Sequence, residues 1–311
     1  MSQPNTSLEH LQDQFRAHLE ARDRSPHSIR AYLSDLRQFA AWFVEQTGEP
    51  FALESVTEYD VREWRDHLAE KKKPTTVNRK LAALSALYTW AGETGQMERD
   101  PTEHVNGVKQ QRTAPKALKK RALNRILRQA RLNGSERDAA LLELLTATGL
   151  RASEAAGLKL GDLELGERRG WVTVRALEGK GRKQREVPVH AKARRALWEY
   201  LEGRGFDPQE PLPRFPSARA DEPLFLSQKG GGMSAYAVWY AVKKYAALAK
   251  VKDVTPHSFR HTVATRLVRD PDVDLVTAAA FLGHSRLETT RRYSEPNEDD
   301  LAKAAERLGG S

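Results

Sequence analysis

From Leu8 to Trp90 the apolar residues return every three or four positions. That period is the helical one; a strand would alternate every second residue. Leu8, Leu11, Phe15 and Leu19 set the first stripe. Ser25-Pro26 then supplies a cap and a first-turn proline. Ile29, Leu33, Leu36, Phe39, Ala40 and Phe43 continue the stripe. Thr57 is placed to cap a helix over 57–70. After Lys71-Lys72-Lys73-Pro74, Thr75 or Thr76 is expected to cap a fourth helix running through Trp90, with Val77, Leu81, Leu84, Leu87 and Tyr88 as its apolar face. The chain therefore opens with an all-α unit of about 100 residues. From Glu103 to Pro115 the period is lost, and the stretch reads as an exposed linker.

Beyond the linker the pattern is mixed. Helices are expected at 118–131 and 135–148. Trp171 to Arg175 and Arg185 to Val189 alternate as strands do, joined by a basic, glycine-bearing hairpin tip that contains Lys180. Phe206 to Pro223 carries five prolines and reads as a loop. Gly230-Gly231-Gly232 is a turn before a helix from Ser234 to Lys250. No Lys-Ser/Thr follows the triplet, so it is not a phosphate-binding P-loop. Further helices fall at about 256–269, 273–282 and 285–293, and a polar, acidic helix ends the chain. The fold class expected is mainly α with a small antiparallel sheet.

Composition excludes several chemistries. The chain has 311 residues, enough for two domains, and no cysteine. Disulfides, thiolate zinc sites, iron–sulfur clusters and cysteine nucleophiles are all ruled out. No apolar run reaches the length of a membrane span, and Met1 to Glu9 lacks the apolar core of a secretory signal, so a cytoplasmic protein is expected. The formal charge is +9, with 51 Lys and Arg against 42 Asp and Glu. Nine basic residues and no acidic ones lie between Lys109 and Arg131. A one-sign stripe of this kind is the footprint of phosphate contact.

Four short stretches stand out, and each alone has an ordinary explanation. Thr148-Gly149-Leu150-Arg151-Ala152-Ser153-Glu154 puts an arginine at the mouth of a helix that Ser153 is expected to cap; alone, it is a capped helix with a surface arginine. Lys180, flanked by glycines, would alone be a solvated basic turn. Thr255-Pro256-His257-Ser258-Phe259-Arg260-His261-Thr262 places His257 and Arg260 on one helical face. His257 and His261 are also four apart, but the pattern of a helical zinc site needs a glutamate where Ser258 stands, so no metal is assigned. Leu282-Gly283-His284 ends a helix, Ser285 caps the next, and Tyr293 follows.

Together these residues fit one task. Cutting a phosphodiester without a metal requires a nucleophile, cations around the phosphorus and an acid for the leaving oxygen. A tyrosine, with an ordinary pKa of about 10, attacks once its proton is accepted or the phosphate charge is neutralised. Two arginines clamp non-bridging oxygens through fork geometry. Histidines bond the phosphate and assist proton transfer, and a lysine can protonate the departing oxygen. Arg151, Lys180, His257, Arg260, His284 and Tyr293 supply that set in chain order.

T-G-L-R-A-S-E (148–154), G-K-G-R-K-Q-R-E-V-P (179–188), H-S-F-R-H-T (257–262) and L-G-H-S-R-L-E-T-T-R-R-Y-S (282–294) resemble the tyrosine site-specific recombinases, also called the phage-integrase family, and look closest to its Xer-type members. S-P-H-S-I-R-A-Y-L-S-D-L-R-Q-F (25–39) and V-N-R-K-L-A-A-L-S-A-L-Y (77–88) carry the likeness into the helical half. The resemblance implies a helical, SAM-like core-binding domain over 1–107, a basic linker over 108–117 and an α+β catalytic domain over 118–311, whose last helix docks on a neighbouring subunit. It implies that Arg151 and Arg260 bind the scissile phosphate and Lys180 protonates the 5′-oxygen. His257 would contact the phosphate and manage the tyrosine proton, His284 would bond a non-bridging oxygen, and Tyr293 would attack to form a 3′-phosphotyrosyl link. It implies no metal, ATP or other cofactor. Double-stranded DNA with a short recombination site is the implied partner, bound by a homo- or heterotetramer acting through a Holliday junction. Glu154 and Asp162 are read as structural groups that orient Arg151, and His261 as a packing residue beside the site. Xer-like resolution of chromosome or plasmid dimers fits the compact length. A mobile-element integrase or resolvase, a type IB topoisomerase, a non-catalytic DNA-binding accessory protein and a metal-dependent nuclease are the competing readings.

Overall fold

The structure is a computed structural model that describes residues 8–109, 117–176, 184–207, 219–284, 286–291, 293–294 and 305–306. The hairpin tip around Lys180, most of the 108–117 linker, the centre of the proline-rich loop, Ser285 and nearly all of the terminal helix lie outside these residues. The chain divides into two compact units; the first four helices form one and all later elements the other. Among the described residues no helix is long and apolar enough to cross a membrane.

The first unit is built from α1 (Leu8–Ala21), α2 (Pro26–Thr47), α3 (Glu58–Lys71) and α4 (Pro74–Glu93). Ser25 Oγ accepts the Ser28 N–H at the start of α2, and Gly48 ends it in the left-handed region at φ 74°. At the head of α3, Thr57 and Asp60 each accept the other's backbone N–H. The expected cap of α4 does not form. Lys73 is its N-cap without a side-chain bond, Pro74 takes the first turn, and Thr75 and Thr76 lie inside the helix. Proline presets φ and lacks the N–H that a cap would satisfy, so it fixes the start at Pro74, ahead of both threonines. Phe15, Phe39, Phe43, Trp64, Leu84, Leu87 and Tyr88 fill the core. The Phe39 and Trp64 rings meet edge-on at 4.9 Å. One ion pair is buried in it: Lys80 Nζ donates to Asp35 Oδ1 at 2.9 Å and to Gln38 Oε1 at 2.8 Å.

The second unit is α5 (Lys120–Asn133), α6 (Glu136–Thr148), α7 (Ala152–Ala156), β1 (Leu163–Leu165), β2 (Gly170–Val174), β3 (Arg185–Pro188), α8 (Ala191–Glu202), α9 (Ala235–Leu248), α10 (Pro256–Val268), α11 (Leu275–Leu282) and α12 (Leu287–Arg291). The sheet is antiparallel in the order β1-β2-β3, with Val172 opposite both Leu163 and Val187. Val172, Val174 and Val187 point into the core while Trp171 stands outward, the alternation of a sheet with one covered face. The fold is thus mainly α with a small antiparallel sheet. α6 is buried almost all round, with Leu141, Leu142, Leu144 and Leu145 fully covered, and α8 and α10 pack against it. Fully burying such a leucine stabilises by about 1.5–3 kcal/mol. α6 thereby fixes where Gly149 and Arg151 emerge. β1 and α8 have no counterpart among the elements expected from the sequence at those positions.

Candidate active site

Arg151 leaves α6 through Gly149, which ends that helix at φ 62°. Arg151, not Ser153, is the N-cap of α7, and Ser153 lies within the helix. The reason is Glu154. Its Oε2 accepts the Arg151 N–H at 2.9 Å and its Oε1 the Arg151 Nη1 at 2.7 Å. One carboxylate thus starts the helix and holds the guanidinium, as expected of Glu154. Asp162 does not orient Arg151; it accepts Arg175 Nε at 2.5 Å and the Lys159 N–H at 2.9 Å. It stands in the turn that leads into β1, and so fixes β2's Arg175 end rather than α7.

Arg260 sits in the second turn of α10 and is 1% exposed. Its Nη1 donates to Gly149 O at 2.9 Å and its Nη2 to Leu282 O at 2.5 Å. A guanidinium has five N–H groups, and these two bonds among the described residues use two of them. Burial, then the neighbouring Arg151 and Arg185 charges, pull Arg260 down to about 10, against the opposing pull of Glu154 and Tyr293. Such a group gains from a bound anion, which offsets both the desolvation and the repulsion. Glu154 itself is held down at about 2: burial pushes it up, but the bonds and charges of Arg185 and Arg151 outweigh that.

The histidines and Tyr293 lie together. The His257 and His261 rings meet edge-on at 4.2 Å between centroids, and His261 lies 5.3 Å from the Tyr293 ring. On the other side His284 stacks on Tyr293 at 6.3 Å, 8° from parallel. His284 Nδ1 and Thr290 Oγ1 are 2.8 Å apart, tying the ring to α12. Tyr293 is 5% exposed and packs with Val263, Ala264 and Leu282. His261, read from the sequence as a packing residue beside the site, lies between His257 and Tyr293. The structure therefore gathers Arg151, Arg260, His257, His284 and Tyr293 into one region of the second unit; Lys180 lies outside the described residues.

Sequence reasoning passed over Arg185, the first residue of β3. Its Nη1 and Nη2 donate to Glu154 Oε1 and Oε2 at 3.3 and 3.0 Å, and its Nε donates to Phe281 O at 3.2 Å. In the sequence it stands within G-K-G-R-K-Q-R-E-V-P (179–188) as a charge at an alternating strand position, with nothing there to show its partners. Two guanidinium groups thus bond one carboxylate, and the third, Arg260, feels both that carboxylate and the nearly buried Tyr293 phenol.

Both units of the chain have counterparts among known proteins. Residues 116–299 match the Phage integrase family, and residues 13–95 match the phage integrase N-terminal SAM-like domain. The tyrosine recombinase XerC of Myxococcus xanthus is 35% identical over 300 residues, covering 95% of this chain and 96% of the relative. The tyrosine recombinase XerD of Bifidobacterium longum is 33% identical, covering 94% of each. Among solved structures, XerH site-specific recombinase bound to palindromic difH substrate superposes with a TM-score of 0.72 at 20% identity, covering 98% of this chain and 97% of that one. A lambda integrase dimer bound to a COC' core site gives 0.70 at 14% identity over 93% and 96%. The last two likenesses speak for the fold alone. With both halves of the sequence matched, and the arginine, histidine and tyrosine motifs meeting in the second, the chain belongs to the phage integrase family.

Proposed function

We propose that this protein is a site-specific tyrosine recombinase that cuts and rejoins double-stranded DNA. The observation that carries the reading is the convergence of Arg151, Arg260, His257 and His284 on the region of Tyr293. In this reading the other N–H groups of Arg260, with Arg151, hold the non-bridging oxygens of the scissile phosphate. His284 donates to one of those oxygens, and His257 contacts the phosphate and takes part in moving the phenol proton. Tyr293 Oη attacks phosphorus. A P–Oη bond forms, the P–O5′ bond breaks, and the 5′-oxygen leaves with a proton supplied by Lys180. The 3′-phosphotyrosyl bond keeps the phosphodiester's energy, so a 5′-hydroxyl from either strand can attack it and release Tyr293. Neither metal nor ATP is needed for such an exchange.

The helical unit over 1–107 and the unit over 118–311, joined by the basic 108–117 stretch, would bind one half-site. Four subunits, of one or two kinds, would assemble on two duplexes and pass through a Holliday junction. Similarity to XerC and XerD relatives over nearly their whole length favours Xer-like dimer resolution in the cytoplasm over a mobile-element role. The test is a nicked suicide duplex carrying the recombination site, incubated in EDTA and run on a denaturing gel. A covalent 3′-linked adduct is expected, and Tyr293→Phe is expected to abolish it. Binding without an adduct, alone or with a second recombinase, would replace this reading with that of a DNA-binding accessory protein.

A further inference from the structure

Two carbonyls at the C-terminal end of α11 are each taken by an arginine from a different element. Leu282 O accepts from Arg260 of α10, and Phe281 O accepts from Arg185 of β3. The last carbonyls of a helix have no partner within it, so whatever binds them sets how the chain leaves. What leaves here is Gly283 and then His284, whose ring stacks on Tyr293. The same Arg185 guanidinium also spans both oxygens of Glu154, the carboxylate that caps α7 and holds the Arg151 side chain. Its side chain is 11% exposed, so it is a built internal link rather than a surface ion pair.

Gly283 is a second, independent observation. It lies at φ 65°, and a Cβ placed there would come within 2.6 Å of Arg185 Nη1 and 2.8 Å of its Cζ. The guanidinium thus occupies the space that a side chain at 283 would take. We propose that Arg185 is a positioning residue for strand cleavage, one that locks the segment holding Arg151 to the segment holding His284 and Tyr293. An ammonium cannot do the same, because it cannot present a planar fork to a carboxylate and a third N–H to a carbonyl at once. The proposal rests on the strand-cleavage reading above.

The test uses the full-length protein and the nicked suicide duplex at saturating concentration, with single-turnover adduct formation and DNA affinity measured separately. Arg185→Gln is expected to slow adduct formation by roughly tenfold to a hundredfold, the scale of a slightly misplaced catalytic group. Its DNA affinity should stay within about twofold. Arg185→Lys should recover little of the rate. The charged groups facing Glu154 are Arg151 on its own element, Arg185 from β3 and Arg260 from α10. With Arg185 gone, burial acts against the Arg151 charge alone and the Glu154 carboxyl titrates higher, so the variant should lose further rate, relative to wild type, as pH is lowered. The Arg185→Gln, Glu154→Gln double variant should regain melting temperature without regaining rate. A wild-type rate and pH profile in Arg185→Gln, or full rescue by lysine or by the double variant, would overturn the proposal. Where Arg185→Gln does not fold, a folded Arg185→Lys that cleaves at the wild-type rate overturns it equally. Absence of any Tyr293-dependent adduct from the wild-type protein is a distinct result, which removes the cleavage reading itself.

Discussion

Glu154 is the residue on which most depends, and its titration can be followed. Its ordinary value of 4.5 falls to about 2 in the folded protein: burial opposes the change, but Arg185 and Arg151 drive it. A folded value below the unfolded one means that the carboxylate stabilises fully above pH 4.5. That stability is lost as pH falls through the interval down to about 2. The difference corresponds to about 3 kcal/mol. Denaturant melts of wild type and Glu154→Gln should therefore differ most at neutral pH and converge in acid; a gap that stayed constant down to about pH 2.5 would contradict the assignment. At this scale the sequence was informative where a residue's role follows from its motif. Glu154 beside Arg151, and His257 three before Arg260, were legible because a helix turn brings them together. Arg185 was not, since its partners lie 31 and 96 residues away and only the folded chain joins them. Asp162 was misjudged for the converse reason: its nearness to Arg151 in the chain did not become nearness in space.

Among the elements, apolar period located the long helices well, because α1, α2 and α4 each bury one stripe. Their boundaries depended on finer chemistry. The serine and threonine caps expected at α2 and α3 do form, the hydroxyl accepting a first-turn N–H in each. At α4 the first-turn proline took precedence, and at α7 a glutamate side chain captured the N-cap N–H, so neither Thr75 nor Ser153 caps. β1 escaped notice because three residues are too few to show alternation. This difference between true and apparent caps is measurable. Thr57→Ala should cost about 1 kcal/mol of stability by removing half of a capping box. Thr75→Ala, an exposed position inside α4, should cost nothing or stabilise slightly, by up to about 0.5 kcal/mol, since alanine is the better helix former. Equal losses for both would mean that α4 begins later than the structure places it.

On the scale of the whole molecule, the +9 charge and the basic run from Lys109 to Arg131 pointed to a polyanion, but the structure divides that run by function. Arg131 is committed internally: it pairs with Glu143, which is 3% exposed. Arg125 is committed as well, donating to Ala249 O just past the end of α9. Lys119, Lys120 and Arg121 instead stand exposed at the start of α5. Three cations at the positive end of a helix dipole disfavour one another and the helix, an arrangement that a phosphate backbone would relieve. Counterion release makes the distinction testable. Replacing Lys119, Lys120 and Arg121 by alanine should leave the melting temperature near wild type or raise it. The plot of log affinity for duplex DNA against log salt should become shallower by about one for each phosphate that is no longer neutralised. Arg131→Ala should do the reverse. The salt slope should hold, while stability falls by about 1–3 kcal/mol because the buried Glu143 carboxylate is left without its cation. A basic stripe that acted only as a uniform field would change both quantities alike for both variants, so opposite responses from the two ends of one helix would show that its charges are divided between holding the fold and holding DNA.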